Sequence, residues 1–285
     1  MLEPGPVRTV ARIIDSETLG LDDGSEVRLI GALGARASDA HAAPGQWPPE
    51  TAAIKVLSDL VLGKAIKLAF GGRRLDRYGR HLAHVFLKGG GDDRWVQGEL
   101  LTSGAARAYA LPGSTACGPE LIAHEQEARN ARRGLWANGV YRPKPADRAA
   151  YLMTLRNRFE RVEGIVASVS RTKSAIYLNF DTDWKSDFTA RVAADVLATH
   201  VEWEKDLMNM KGRSIVVRGW IERRNGPMID VVDPSQIETT PPPPEGPESA
   251  AAAAAAGGST DPKDEDRPKE LRPAPPLEKP GATDL

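Results

Sequence analysis

A single cysteine, Cys117, stands in the 285 residues, so no intramolecular disulfide can form and cysteine usage is silent on compartment. No Cys/His cluster has zinc-site spacing. His81 and His84 lie three apart in a segment that reads as a strand, which sends them to opposite faces; they are taken as surface or packing histidines. No apolar run approaches the ~20 residues of a bilayer span, so no membrane partner is expected. Met1 to Val10 has neither an apolar core nor a cleavage pattern. A cytoplasmic location is therefore expected as written, and a secreted or periplasmic one only if the true start lies upstream. Net charge is also lacking: the formal value is -1, so no overall basic field announces a polyanion.

That average hides a split. Residues from Thr239 to Leu285 hold nine acidic and five basic side chains, which leaves 33 basic against 30 acidic in residues 1–238. A mildly basic body is compatible with a phosphate-bearing ligand without demanding one. The acidic end also contains the proline run Pro241 to Pro244 and the alanine run Ala250 to Ala256. Such a composition offers too little apolar surface to offset the entropy of ordering it, so residues 239–285 are expected to be a disordered spacer.

Pro143 and Pro145 mark a second boundary. We expect one domain over 5–142, a linker over 143–158 with a short helix at 148–158, and a second domain over 159–238. In the first, Val7–Ile14, Thr18–Leu21 and Glu26–Gly31 read as strands, with a turn at Asp22-Asp23-Gly24-Ser25. Ile54, Leu57 and Val61 recur at helical spacing, opened by Pro48-Pro49 and closed by Gly63. Ala65–Phe70 and His81–Leu87 read as strands, Trp95–Leu101 as a helix, and Glu120–Arg133 as a charged helix closed by Gly134. Five strands with a helix between the third and fourth suggest a small closed barrel of the OB type. The second domain repeats the order. Val162–Ser168, Ala175–Phe180, Phe188–Val192, Ser214–Ile221 and Met228–Val232 are strand-like, residues 193–208 are helix-like, and Asn225-Gly226 is a hairpin signal. The fold class expected is mainly β with α (α+β): two five-stranded OB-type barrels with flanking helices.

Three segments carry chemistry: Asp15-Ser16-Glu17-Thr18 in a turn, Arg28 on a strand among apolar neighbours, and Asp76-Arg77-Tyr78-Gly79-Arg80 entering the fifth strand. With Gly104 to Tyr109 and Ala131-Arg132-Arg133-Gly134-Leu135-Trp136, this ordered set resembles the staphylococcal nuclease (thermonuclease) family from Val7 to Trp136. The remainder is similar to a companion domain of some bacterial members.

The resemblance implies a phosphodiesterase site in which two aspartates and a backbone oxygen hold calcium, a glutamate positions water, and two arginines grip the scissile phosphate. Hard oxygens suit calcium, and guanidinium forks match phosphate oxygens. By resemblance, Arg28 and Arg80 fall on the phosphate arginines. Glu17 falls on the first metal aspartate, and Asp15 on a nearby acid of the same loop. The second metal aspartate falls on Leu33, which has no oxygen, and the glutamate falls on Arg36, which is opposite in charge. Two of the three carboxylates are therefore absent. Like charges ~4 Å apart at an effective dielectric near 20 cost on the order of 4 kcal/mol, so Arg36 opposes calcium and favours an anion.

No cofactor is then expected, with calcium only if the protein is active, and Arg28, Arg36 and Arg80 form a metal-free anion clamp. Asp39 is a candidate substitute acid. Arg77, Tyr78 and Tyr109 are candidate ligand contacts, the tyrosines by stacking on a base. Against this stand plainer readings: Glu17 as a turn acid, Arg28 in a surface ion pair, Trp184, Phe188 and Trp220 as core, and Arg132-Arg133 as a solvated helix end. Three functions remain open. One is a thermonuclease-like binder of nucleic acid, nucleotide or another phosphorylated ligand with degraded catalysis. Another is an active phosphodiesterase cutting DNA or RNA with altered metal use, and the last is a scaffold.

Overall fold

Alternation of apolar and polar side chains along short β-type runs builds the first half. The computed structural model describes residues 2–89, 93–183 and 186–239, all within one compact unit, Met1–Pro242. Of the spacer expected at 239–285, Thr239 ends a short strand; the rest of it and Trp184 lie outside the described residues. Strands β1 (Glu3–Ile13), β2 (Thr18–Leu21), β3 (Glu26–Leu29), β4 (Ala65–Phe70) and β5 (His81–Leu87) close into a five-stranded barrel. The long β1 serves two neighbours: its start pairs antiparallel with β4 and its end with β2. Closure comes from the parallel pairing of β3 with β5, Arg28 opposite Leu82.

Helix α1 (Pro48–Val61) plugs this barrel with Ala53, Leu57 and Val61. Burying a side chain such as Leu57, fully inaccessible here, is worth roughly 1.5–3 kcal/mol. Its end follows the reading, with Gly63 in the left-handed region at φ 71. Helices α2 (Val96–Thr102) and α3 (Gly118–Asn130) pack alongside. Gly134 does not close α3 as expected. The cap is Arg132, at φ 50, with the Arg133 amide bonding back to the Ala128 carbonyl at 2.9 Å, while Gly134, at φ 52, opens the next turn. Arg132 and Arg133 are solvent-exposed, as expected. His84 is a buried packing histidine against Trp95, and burial lowers its pKa to about 4.

The second half repeats the plan. Its first strand bends, Val166 donating to Arg213 and Ala167 to Asn179, so it runs as β6 (Phe159–Ile165) and then β7 (Ser168–Arg171). With β8 (Ala175–Asn179), β9 (Thr189–Ala193), β10 (Ser214–Arg224) and β11 (Gly226–Val231), the order is β7-β8-β9-β11-β10-β6, again with third and fifth strands parallel. Lys144–Pro145 and Ile237–Thr239 add short pairings at its edge. The linking helix is shorter than read: α4 covers Ala149–Thr154, and Asn157 turns the chain at φ 65. The single helix expected at 193–208 is two, α5 (Ala194–Thr199) and α6 (Trp203–Met208). Phe188 is core, as expected; Trp220 is not, being 37% exposed.

The two barrels meet along a polar seam. Arg218, 1% exposed, donates to Glu125 at 2.9 Å and to the Ala108 carbonyl at 3.1 Å, and also pairs with Glu238. Arg129 reaches Glu238 at 2.6 Å. Further along, Arg107 donates to Asp39 at 2.8 Å and to the Phe159 carbonyl at 2.9 Å.

Candidate anion pocket

The turn joining β1 and β2 is organised by its own acid. The Asp15 carboxylate accepts the Glu17 amide at 2.8 Å, and the Glu17 carbonyl accepts Leu29 at 2.8 Å. On β3 the pleat sends Val27 and Leu29 into the core and Arg28 the other way. The loop after Gly34 is tied to this turn: Ser16 donates to the Ala35 carbonyl at 3.1 Å, and Gly34 leaves no space for a Cβ against Ser16. This close approach brings Arg36 onto Glu17.

Asp76 shapes the third segment. Its carboxylate accepts the amides of Tyr78 and Arg80 at 2.8 and 3.0 Å and Nε of Arg80 at 2.8 Å, while Gly79 supplies φ 80. Burial works against the Asp76 charge, but these bonds hold its pKa below the ordinary value. Arg80 is thereby aimed at Glu17 and Arg28.

Asp15, Glu17, Arg28, Arg36 and Arg80 line one pocket of ≈ 500 Å³, with Ser16, Ser38 and Glu50 at its edges. Glu17 is 4% exposed; its Oε1 pairs with Arg36 and lies 3.7 Å from Arg28. Its Oε2 has no hydrogen-bond partner, and neither has Arg28 Nε. Glu50 is occupied, accepting the amides of Ala37 and Gly45 at 3.1 and 3.2 Å.

The other named residues lie elsewhere. Arg77 and Tyr78 are at the rim: the Tyr78 ring is 68% exposed and carries the Arg77 and Arg80 guanidiniums at 4.8 and 5.3 Å. Tyr109 is only 5% exposed and packs with Leu33 and Phe159, so it offers no free face to a base. Burial raises its pKa, and the charges of Arg28, Arg36 and Arg80 pull the other way. Asp39 is not a substitute acid. Its carboxylate accepts Arg107 at 2.8 Å, Tyr141 at 3.1 Å and the Arg36 amide at 3.1 Å, so it holds the loop instead. Burial lowers the Arg36 pKa and Asp39 and Asp15 oppose this; a guanidinium stays charged throughout.

These residues do not fit calcium. Among the described residues no group of three or more His, Cys, Asp or Glu is placed to hold a metal. Glu17 already faces two guanidiniums, and Leu33 is wholly buried. Leu33→Asp is therefore expected to destabilise the fold by on the order of 2–5 kcal/mol, because a carboxylate would replace core. Thermal melts with and without calcium check this; calcium-dependent recovery of the variant would contradict it.

The second barrel supplies residues that sequence reasoning missed. Trp220 lies 5.9 Å from the Arg36 guanidinium, and Arg158 donates to the Asp39 carbonyl at 3.0 Å. Only strand parity hinted at Trp220: Ile221 beside it is core, so Trp220 must face outward.

Residues 36–138 match the family described as staphylococcal nuclease homologue. The chain thus carries a staphylococcal-nuclease-like domain, with Arg36 and Arg80 inside the matched stretch and Asp15, Glu17 and Arg28 before it. No curated protein matches the chain. Among the described residues no helix is long and apolar enough to cross a membrane.

Proposed function

We propose that the protein binds the phosphate groups of nucleic acid or of a nucleotide in the Arg28–Arg36–Arg80 pocket and does not cleave them efficiently. The nuclease-like domain suggests nucleic-acid binding or nuclease activity, and the pocket's composition favours the first. The observation that carries this is the convergence of the Arg28, Arg36 and Arg80 guanidiniums on one cleft, with Arg36 and the buried Leu33 standing where the resemblance leads one to expect carboxylates.

Hydrogen-bond donors, rather than net charge, are in surplus there. Each guanidinium has five N–H groups, and Glu17, Asp76 and the surrounding acids use only part of them. An entering phosphate competes with Glu17 for the guanidiniums of Arg36 and Arg28. Glu17 then acts as a placeholder that keeps the guanidiniums in position while the pocket is free.

Arg80→Ala is expected to weaken binding of a labelled single-stranded oligonucleotide about tenfold, from the loss of one charged hydrogen-bonding group. The slope of log K against log salt should also fall by about 0.7. Fluorescence anisotropy at two salt concentrations reads both effects. Incubation of single-stranded DNA and RNA with calcium should leave them intact. Strong calcium-dependent hydrolysis that disappears in Glu17→Ala would defeat the reading.

A further inference from the structure

Trp220 is a large aromatic on the outside of the second barrel, at the end of the seam where the two barrels part beside the pocket. On β10 the odd-numbered Ile215, Val217 and Ile221 enter the barrel core. The even-numbered side chains face the first barrel: Arg218 bonds Glu125, and Trp220 follows one pleat later. Arg218 is sealed at 1% exposure, whereas Trp220 is 37% exposed. The Trp220 ring is held from below and from one side. Phe159 packs edge-on at 5.7 Å, and Phe159 in turn packs edge-on against Tyr109 at 6.3 Å. The Arg36 guanidinium lies over the ring, 5.9 Å from its centroid, so a base stacks either beside it or on the other face. Since Phe159 and Tyr109 are buried, Trp220 is the exposed end of this aromatic file.

A fixed, half-exposed indole beside a phosphate-suited cleft matches the recognition of single-stranded nucleic acid, in which cations track the backbone and aromatic faces carry the bases. We propose that Trp220 is the base-stacking platform of the site, so that a single strand gripped at Arg28, Arg36 and Arg80 lays a base on the second barrel. This rests on the phosphate-binding reading above and assigns the second barrel a direct part in it. Tyr109, at 5% exposure, cannot serve this role, and Trp220 supplies the flat surface that it lacks.

The test uses the full chain and two labelled probes of about twelve units, within the span of OB-type sites. One is oligothymidylate, and the other is an abasic phosphodiester oligomer with the same backbone. Trp220→Ala should weaken oligothymidylate binding on the order of tenfold while leaving abasic binding and the salt slope unchanged. Trp220→Phe, which keeps a ring, should retain most of the affinity and guards against misfolding of the alanine variant. Equal losses on both probes with a shallower salt slope would mean that Trp220 only positions Arg36, and would overturn the stacking role. Unchanged oligothymidylate binding in Trp220→Ala, with a loss in Arg80→Ala, would overturn it too and leave the phosphate reading standing. Failure of the wild-type protein to bind either probe would overturn both.

Discussion

Arg218→Ala is expected to lower the stability of the folded unit by on the order of 3–5 kcal/mol, the cost of leaving buried charge without its partner. Arg218 is 1% exposed and joins Glu125, itself fully buried, to Glu238 on the closing strand. Without it, Glu125 keeps only the Ala108 amide at 2.6 Å and Arg129 Nε at 3.3 Å. The double change Arg218→Met with Glu125→Leu should cost far less, since apolar pairs of similar volume replace buried ion pairs well. Urea denaturation of the wild type, both single variants and the double variant measures the coupling. Acid sensitivity should follow. Burial alone would raise the Glu238 pKa, but Arg218, Arg129 and Arg161 hold it at about 2 against an ordinary 4.5. Because its folded pKa lies below the unfolded one, Glu238 stabilises the protein above pH 4.5 and loses that contribution as pH falls toward 2. That contribution is about 3 kcal/mol and should shrink in Arg218→Ala.

Asp39→Ala should strike both stability and binding. Its carboxylate faces Arg107, which is 4% exposed, so removing it strands another buried cation at a cost of on the order of 3–5 kcal/mol. The same carboxylate accepts the Arg36 amide, so the loop carrying Arg36 loses its anchor. Oligonucleotide affinity should therefore fall along with the urea midpoint, even in conditions where the variant remains folded. Asp39→Asn keeps an acceptor and should lie between. An Asp39→Ala variant with full stability and full affinity would show that the network is incidental.

The sequence made the barrel strands legible because their pattern is local. Ala65–Phe70 and His81–Leu87 are short, largely apolar runs bounded by Gly63, Gly71 and Gly79. The pocket was legible in part: Asp15, Glu17, Arg28, Arg36 and Arg80 line one pocket, whereas Tyr109 is buried and Tyr78 stands exposed outside its lining. Those differences arise from depth, which spacing along a strand does not encode. The polar seam was not legible at all. Glu125 sits in a helix that reads as strongly charged, yet it is completely buried because its counter-charge arrives from Arg218, 93 positions on. No local pattern announces so distant a pairing. Trp220 was taken as core for a similar reason: aromatics in strands usually point inward, and only the company of Ile215, Val217 and Ile221 settles the parity.

The parallel pairing of β3 with β5 limits what kind of company the first barrel can keep. Among the described residues, sealing β3 onto β5 removes the open edge that each of these two strands would otherwise offer to a foreign extended peptide. Recruitment must then go through side chains at the mouth of the ring, which makes the protein's choice of ligand editable one residue at a time without touching its hydrogen-bonded frame.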